Sequence, residues 1–150
     1  MAQFKIHGLV ELQKQIAQIS EMDKGELAKK MLKAGSKDVE KVWYDESVAR
    51  HKLTGAMADA IKTSRVKKNA YGRYTVTYPM DFEERTRRGK KVKVRHAEKA
   101  FYQHYGWTNN RTGKFIPGDR FVDIIDKKAE PLAEKTMQTI WDEYLKNTTK

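Results

Sequence analysis

Phe4 and Ile6 alternate with polar neighbours before Gly8, a pattern that predicts a short opening strand. Leu9, Leu12, Ile16 and Ile19 then recur at helical spacing on one face, predicting an amphipathic helix that ends near Ser20. Asp23 with Glu26 three residues on approximates a capping box, so a second helix is expected from about Lys24 to Arg50. Its apolar stripe is Ala28, Met31, Leu32, Gly35, Val39, Val42, Trp43 and Ala49. At 1.5 Å per residue it is a rod on the order of 40 Å long, weakened at Gly35, where a kink is expected.

Thr54 and Gly55 interrupt this pattern, with Thr54 placed to cap a short helix carrying Met57, Ala60 and Ile61. The period then changes to two. Tyr74, Val76 and Tyr78 alternate with Arg73, Thr75 and Thr77, which predicts a half-buried strand ended by Pro79. The stretch Ser64–Lys68 is its expected partner, through a turn over Asn69, Ala70, Tyr71 and Gly72. Val92 and Val94 mark a third short strand.

Ala97, Ala100, Phe101, His104 and Tyr105 return to helical spacing, with Gly106 as the C-terminal stop. Trp107 to Gly118 reads as a loop by composition. A final helix is expected from Asp119 through Phe121, Ile124, Ile125, Leu132, Met137, Ile140, Trp141 and Tyr144, with Pro131 kinking it or starting a new one. The whole predicts one α+β domain over residues 1–150. It has long N-terminal helices, a small antiparallel sheet of about three to four strands, a C-terminal helix, and a basic hairpin or loop at about 83–96.

Composition sharpens this picture. Only 39% of the 150 residues are hydrophobic and 34% are charged, so the core is thin or is completed against partners. The chain has no cysteine, which excludes disulfides, thiolate zinc sites and cysteine nucleophiles. No apolar run approaches the ~20 residues that span a bilayer, and the first residues lack a signal-peptide core. The expectation is a protein with no membrane partner, kept inside a cell or packaged into something built there. The net charge of +11 is concentrated: Lys62 to Lys99 carries 13 Lys and Arg against 4 Asp and Glu, a net of +9.

Catalytic patterns are missing. His7, His51, His96 and His104 stand at no metal-binding spacing and read as surface or boundary residues, with His104 set apart by its aromatic neighbours. Glu83 and Glu84 are adjacent, so in a strand they face opposite ways and do not form a catalytic pair. Neither a phosphate-binding glycine loop nor a serine elbow occurs. The sequence predicts no catalytic residue, no metal ligand and no cofactor.

Two clusters remain. Arg85, Arg87, Arg88, Lys90, Lys91, Lys93 and Arg95 crowd eleven residues around Gly89, a natural turn. Three readings stay open for them: a phosphate-contacting arm, a solvated loop that discourages edge-to-edge sheet pairing, or a contact to an acidic neighbouring subunit. Phe101, Tyr102, His104, Tyr105 and Trp107 form the second cluster. Helical spacing groups Phe101, His104 and Tyr105 as a core face, Phe101 above all, and leaves Tyr102 and Trp107 for an interface.

The order of these pieces resembles a known family. Gly8-Leu9 with Leu12 precedes a long helix, and Leu53-Thr54-Gly55-Ala56-Met57 leads into a short one. Strands follow, then Tyr102-Gln103-His104-Tyr105-Gly106-Trp107, then Gly118-Asp119-Arg120-Phe121 entering the last helix. In this order the chain resembles the tail-completion or head–tail joining (neck) proteins of long-tailed bacteriophages and prophages.

The resemblance implies a structural protein made in the host bacterial cytoplasm and built into the virion at the head–tail interface. It implies a ring of copies that meets the head connector and the tail tube or terminator proteins, with non-specific contact to the genomic DNA in the channel. Thr54, Gly55, Tyr102, His104, Gly106, Trp107 and Phe121 are its motif or interface residues. The alternative is a basic nucleic-acid-binding module acting through the 85–95 arm.

Overall fold

A computed structural model describes residues 25–51 and 55–148. The opening strand, the helix over 9–20, the Asp23 cap and Thr54 lie outside the described residues. The architecture is mixed helix and sheet, with small antiparallel ladders and a long C-terminal helix.

Helix α1 runs from Glu26 to His51, close to its expected span. A single turn, α2, covers Ala56–Asp59, and Gly55 is its N-cap at φ 67°, a left-handed conformation that glycine adopts without strain. Ile61, expected on this helix, already belongs to a strand.

The expected single sheet of three to four strands is instead divided into two-stranded ladders. Strands β1 (Ile61–Thr63), β2 (Lys67–Asn69), β3 (Gly72–Tyr74) and β4 (Thr77–Pro79) pair as β1–β4 and β2–β3. These two ladders are halves of one hairpin. The Ser64 N–H donates to the Val76 carbonyl at 2.8 Å. The next ladder pair is Lys67 with Tyr74, so Arg65 and Val66 oppose Thr75 alone, a β-bulge.

The phase of this hairpin reverses the sequence expectation. Pro79 is buried and Thr75 and Thr77 are half-buried, whereas Tyr74, Val76 and Tyr78 are exposed. Hydroxyls explain the reversal. Thr63 Oγ1 lies 2.8 Å from Thr77 Oγ1 and donates to Glu40 of α1 at 3.1 Å, so the threonine face has polar partners to pack against.

A second hairpin follows, β5 (Phe82–Arg87) with β6 (Lys90–Arg95). Helix α3, His96–Tyr105, then leads into a small ladder of β7 (Gly106–Thr108) with β8 (Phe115–Pro117), where composition predicts only a loop. Helix α4, Phe121–Thr148, continues through Pro131 as a single helix rather than restarting there.

Helices α1 and α4 pack antiparallel. Thr136 Oγ1 donates to Asp38 Oδ2 at 2.5 Å near the middle of both helices, and Lys128 pairs with Glu46 further along. Gly35 is buried at this seam: a Cβ there would lie 3.2 Å from Met137 Cγ and 3.4 Å from the Ala133 carbonyl oxygen. Its role is therefore close approach between helices. The core centres on Trp43 and Phe121, whose rings meet edge to face at 5.7 Å. Val42, Met57, Ala58, Ile61, Ala100, Ile125 and Ala129 surround them. Full burial of a large apolar side chain stabilises by about 1.5–3 kcal/mol. Three of these nine described core residues are alanines.

Candidate assembly surface

The two motif stretches of the resemblance meet at the junction of α3 and α4. The Asp119 and Arg120 N–H groups donate to the Gln103 and His104 carbonyls at 3.0 and 3.2 Å, satisfying the C-terminal end of α3. In return, His104 Nδ1 accepts from the Val122 N–H at 3.3 Å and Asp119 Oδ1 accepts from the Phe121 N–H at 3.1 Å, satisfying the start of α4. His104 Nε2 faces the Arg120 guanidinium at 3.5 Å and Asp123 at 3.6 Å.

Glycines make this closeness attainable. Gly106 ends α3 at φ 91°, and a Cβ there would sit 2.4 Å from the Ile116 carbonyl oxygen. A Cβ on Gly118 would sit 2.3 Å from the His104 carbonyl oxygen. His104 and Phe121 are thus framework residues at 4% and 0% exposure. His96 is buried, against the surface or boundary position expected of it, and His104 is buried on the inward face that helical spacing gave it.

Phe101 corrects the sequence reading in the opposite sense. Expected in the core, it is 57% exposed, because Ala100, His96 and His104 supply the inward face of α3. Tyr102 and Tyr105 are each 51% exposed, and Trp107 and Phe115 are also open. Phe101 and Tyr105 lie 4.7 Å apart between ring centroids, one turn apart on the same side of the helix. With Tyr78, Pro79, Val122, Asp123 and Asp126 they line a shallow groove between α3, β4 and α4.

Asp123 and Asp126 stand on the rim of the groove and begin an acidic stripe that the sequence reading missed. Asp123, Asp126, Glu130 and Glu134 follow at spacings of three, four and four, which puts them on one exposed face of α4. That spacing was legible in the sequence. Among the described residues, no cation lies within ion-pair distance of Asp126, Glu130 or Glu134.

The predicted basic hairpin is present, with Arg88 at φ 48° and Gly89 at φ 75° in its two-residue turn. Both central residues have positive φ, the signature of a type I′ turn. The ladder puts Arg85, Arg87, Lys90 and Val92 on one face and Lys91, Lys93 and Arg95 on the other. Residues 84–93 are exposed on both faces.

Glu83 and Glu84 do point to opposite faces, opposing Val94 and Lys93. Lys99 pairs with Glu83 at 2.6 Å and Arg85 pairs with it too; Lys99 above all, with Arg85, holds its carboxyl below the usual range. Lys91 approaches Glu84 at 3.8 Å, and Lys93 lies over the Phe82 ring at 4.4 Å. Among the described residues, no carboxylate lies within ion-pair distance of Arg87, Arg88, Lys90 or Arg95.

The described residues contain no group of three or more His, Asp or Glu side chains that could hold a metal ion, and no helix long and apolar enough to cross a membrane. Comparison with family models, curated proteins and solved structures gives no match for this chain.

Proposed function

We propose that this chain is a non-enzymatic structural protein of a long-tailed phage virion. It completes or joins the tail to the head connector, as a ring of copies at the head–tail interface. The observation that carries the reading is the open aromatic surface, with Tyr78, Phe101 and Tyr105 along the groove and Tyr102 and Trp107 exposed as well, together with an exposed basic hairpin. Aromatic residues left open on a folded surface are the usual anchors of protein interfaces. The order of motifs in the sequence supplies the virion setting. Its partners are the head connector on one side and the tail tube or terminator proteins on the other.

The test is removal of the gene from the phage or prophage that carries it, followed by electron microscopy of the particles. Filled heads and finished tails that fail to join, and that join when purified protein is added, are expected. Normal joined virions without the protein would overturn the proposal.

A second reading, a nucleic-acid-binding module, is favoured by Arg87, Arg88, Lys90 and Arg95, hairpin cations with no carboxylate within ion-pair distance among the described residues. About four phosphate contacts would make log affinity fall with log salt at a slope of about −3.6. A slope near zero for duplex DNA would remove this reading.

A further inference from the structure

We infer that the basic hairpin of one copy docks along the acid-rimmed aromatic groove of the next copy. The inference rests on the ring proposed above and names the contact that closes it. An isolated two-stranded hairpin is marginal in water, and here residues 84–93 are exposed on both faces. Something must cover it when it works.

The cover is written in the charges. The hairpin carries Arg87, Arg88, Lys90 and Arg95 without carboxylate partners; the α4 stripe carries Asp126, Glu130 and Glu134 without cation partners, both among the described residues. The lengths agree: a six-residue strand spans about 20 Å, and Asp123 to Glu134 on a helix spans about 16 Å. The groove aromatics suit cations as well. Within one copy the Arg120 guanidinium already lies 5.1 Å from the Tyr105 ring centroid, and Lys93 lies over Phe82.

The turn points the same way. Asn is the local optimum at the first position of a type I′ turn, yet the chain places Arg88 there at φ 48°. A charge at the tip is kept against local preference. Hairpin and groove are different patches, so each copy offers one and receives the other, the head-to-tail arrangement that closes rings.

Two full-length variants test this. One carries Arg87→Gln, Arg88→Gln, Lys90→Gln and Lys91→Gln; the other carries Phe101→Ala, Asp126→Asn and Glu130→Gln. All these positions are exposed, so circular dichroism should match the wild type. Mass is read by light scattering at low salt, a few-fold above the concentration at which the wild type half-assembles.

Each variant alone is expected to dissociate at least tenfold more readily and run as a monomer. An equal mixture is expected to stop at two copies, because one intact hairpin meets one intact groove. Oligomers of unchanged mass in both variants would overturn the inference and leave the ring standing on another surface. Unchanged masses with loss of duplex-DNA binding in the hairpin variant would give the arm to nucleic acid, again overturning it. A wild type that is monomeric at every concentration would overturn the contact and the self-assembled ring together.

Discussion

At the scale of single residues, the α3–α4 junction depends on two glycines and one histidine. Gly118→Ala would force a Cβ to 2.3 Å from the His104 carbonyl oxygen and 2.6 Å from the Gln103 carbonyl oxygen. Backbone stands on the far side, so no side chain can swing away. The expected cost is at least about 2 kcal/mol in a urea titration, within the range of overpacking and strain. A change under 0.5 kcal/mol would show that the junction is looser than described.

His96 gives a pH signature. It is buried, its Nδ1 lacks a partner among the described residues, and its pKa is lowered from 6.5, first by burial and then by the Lys99 charge. Glu83 and Asp81 pull the other way, and Arg85 adds to Lys99. A depressed histidine pKa means that the unfolded chain binds the proton more readily than the folded one. Its contribution is therefore whole above pH about 6.5 and is lost as pH falls toward and through the lowered value. The carboxylates of Glu46 and Glu83, held low by Lys128 with Arg50 and by Lys99 with Arg85, lose their contribution only below the ordinary 4.5. Stability should thus fall in two stages on acidification, and His96→Gln should remove the upper one. An upper stage that persists in His96→Gln would assign it to another group.

Among the elements, the basic hairpin is the least supported. Its turn geometry favours Asn-Gly, so Arg88→Asn should stabilise the hairpin by a few tenths to about 1 kcal/mol, read as slower amide exchange across β5 and β6. Faster exchange would show that Arg88 holds the turn by contacts within the copy. The strand at Val92 and Val94 and the turn at Gly89 were legible in the sequence, as were α1, α3 and α4, because each follows a clear period or a glycine stop; whether the basic stretch is a hairpin or a loop was left open there.

The phase of Tyr74, Val76 and Tyr78 was not legible. Alternation says that two faces differ, but which one turns inward was decided by Thr77 bonding Thr63 and Thr63 reaching Glu40 on α1, contacts made across long sequence separation. Phe101 was misread for a related reason: His96, Ala100 and His104 supply the inward face of α3, whereas hydrophobicity alone ranks Phe first. The sheet divided because a bulge at Arg65 and Val66 breaks the first hairpin into two ladders, and no periodicity marks a bulge in advance.

The whole molecule joins a thin core to an open outer surface. Trp43, Phe121 and Ile125 hold α1 and α4 together, while most of the aromatic side chains of β4 and α3 face outward. The basic hairpin stands on one element and the acid stripe on another, so the surface is complementary to itself. On the function proposed above, the protein works by burying this surface against other chains, copies of itself first. The mass of the purified wild-type protein, by light scattering behind a sizing column at low and at high salt, tests that claim most directly. The account predicts a discrete oligomer at low salt that persists, at higher protein concentration, in high salt, because burial of Phe101 and Tyr105 is not screened. A monomer at every concentration and every salt would contradict it.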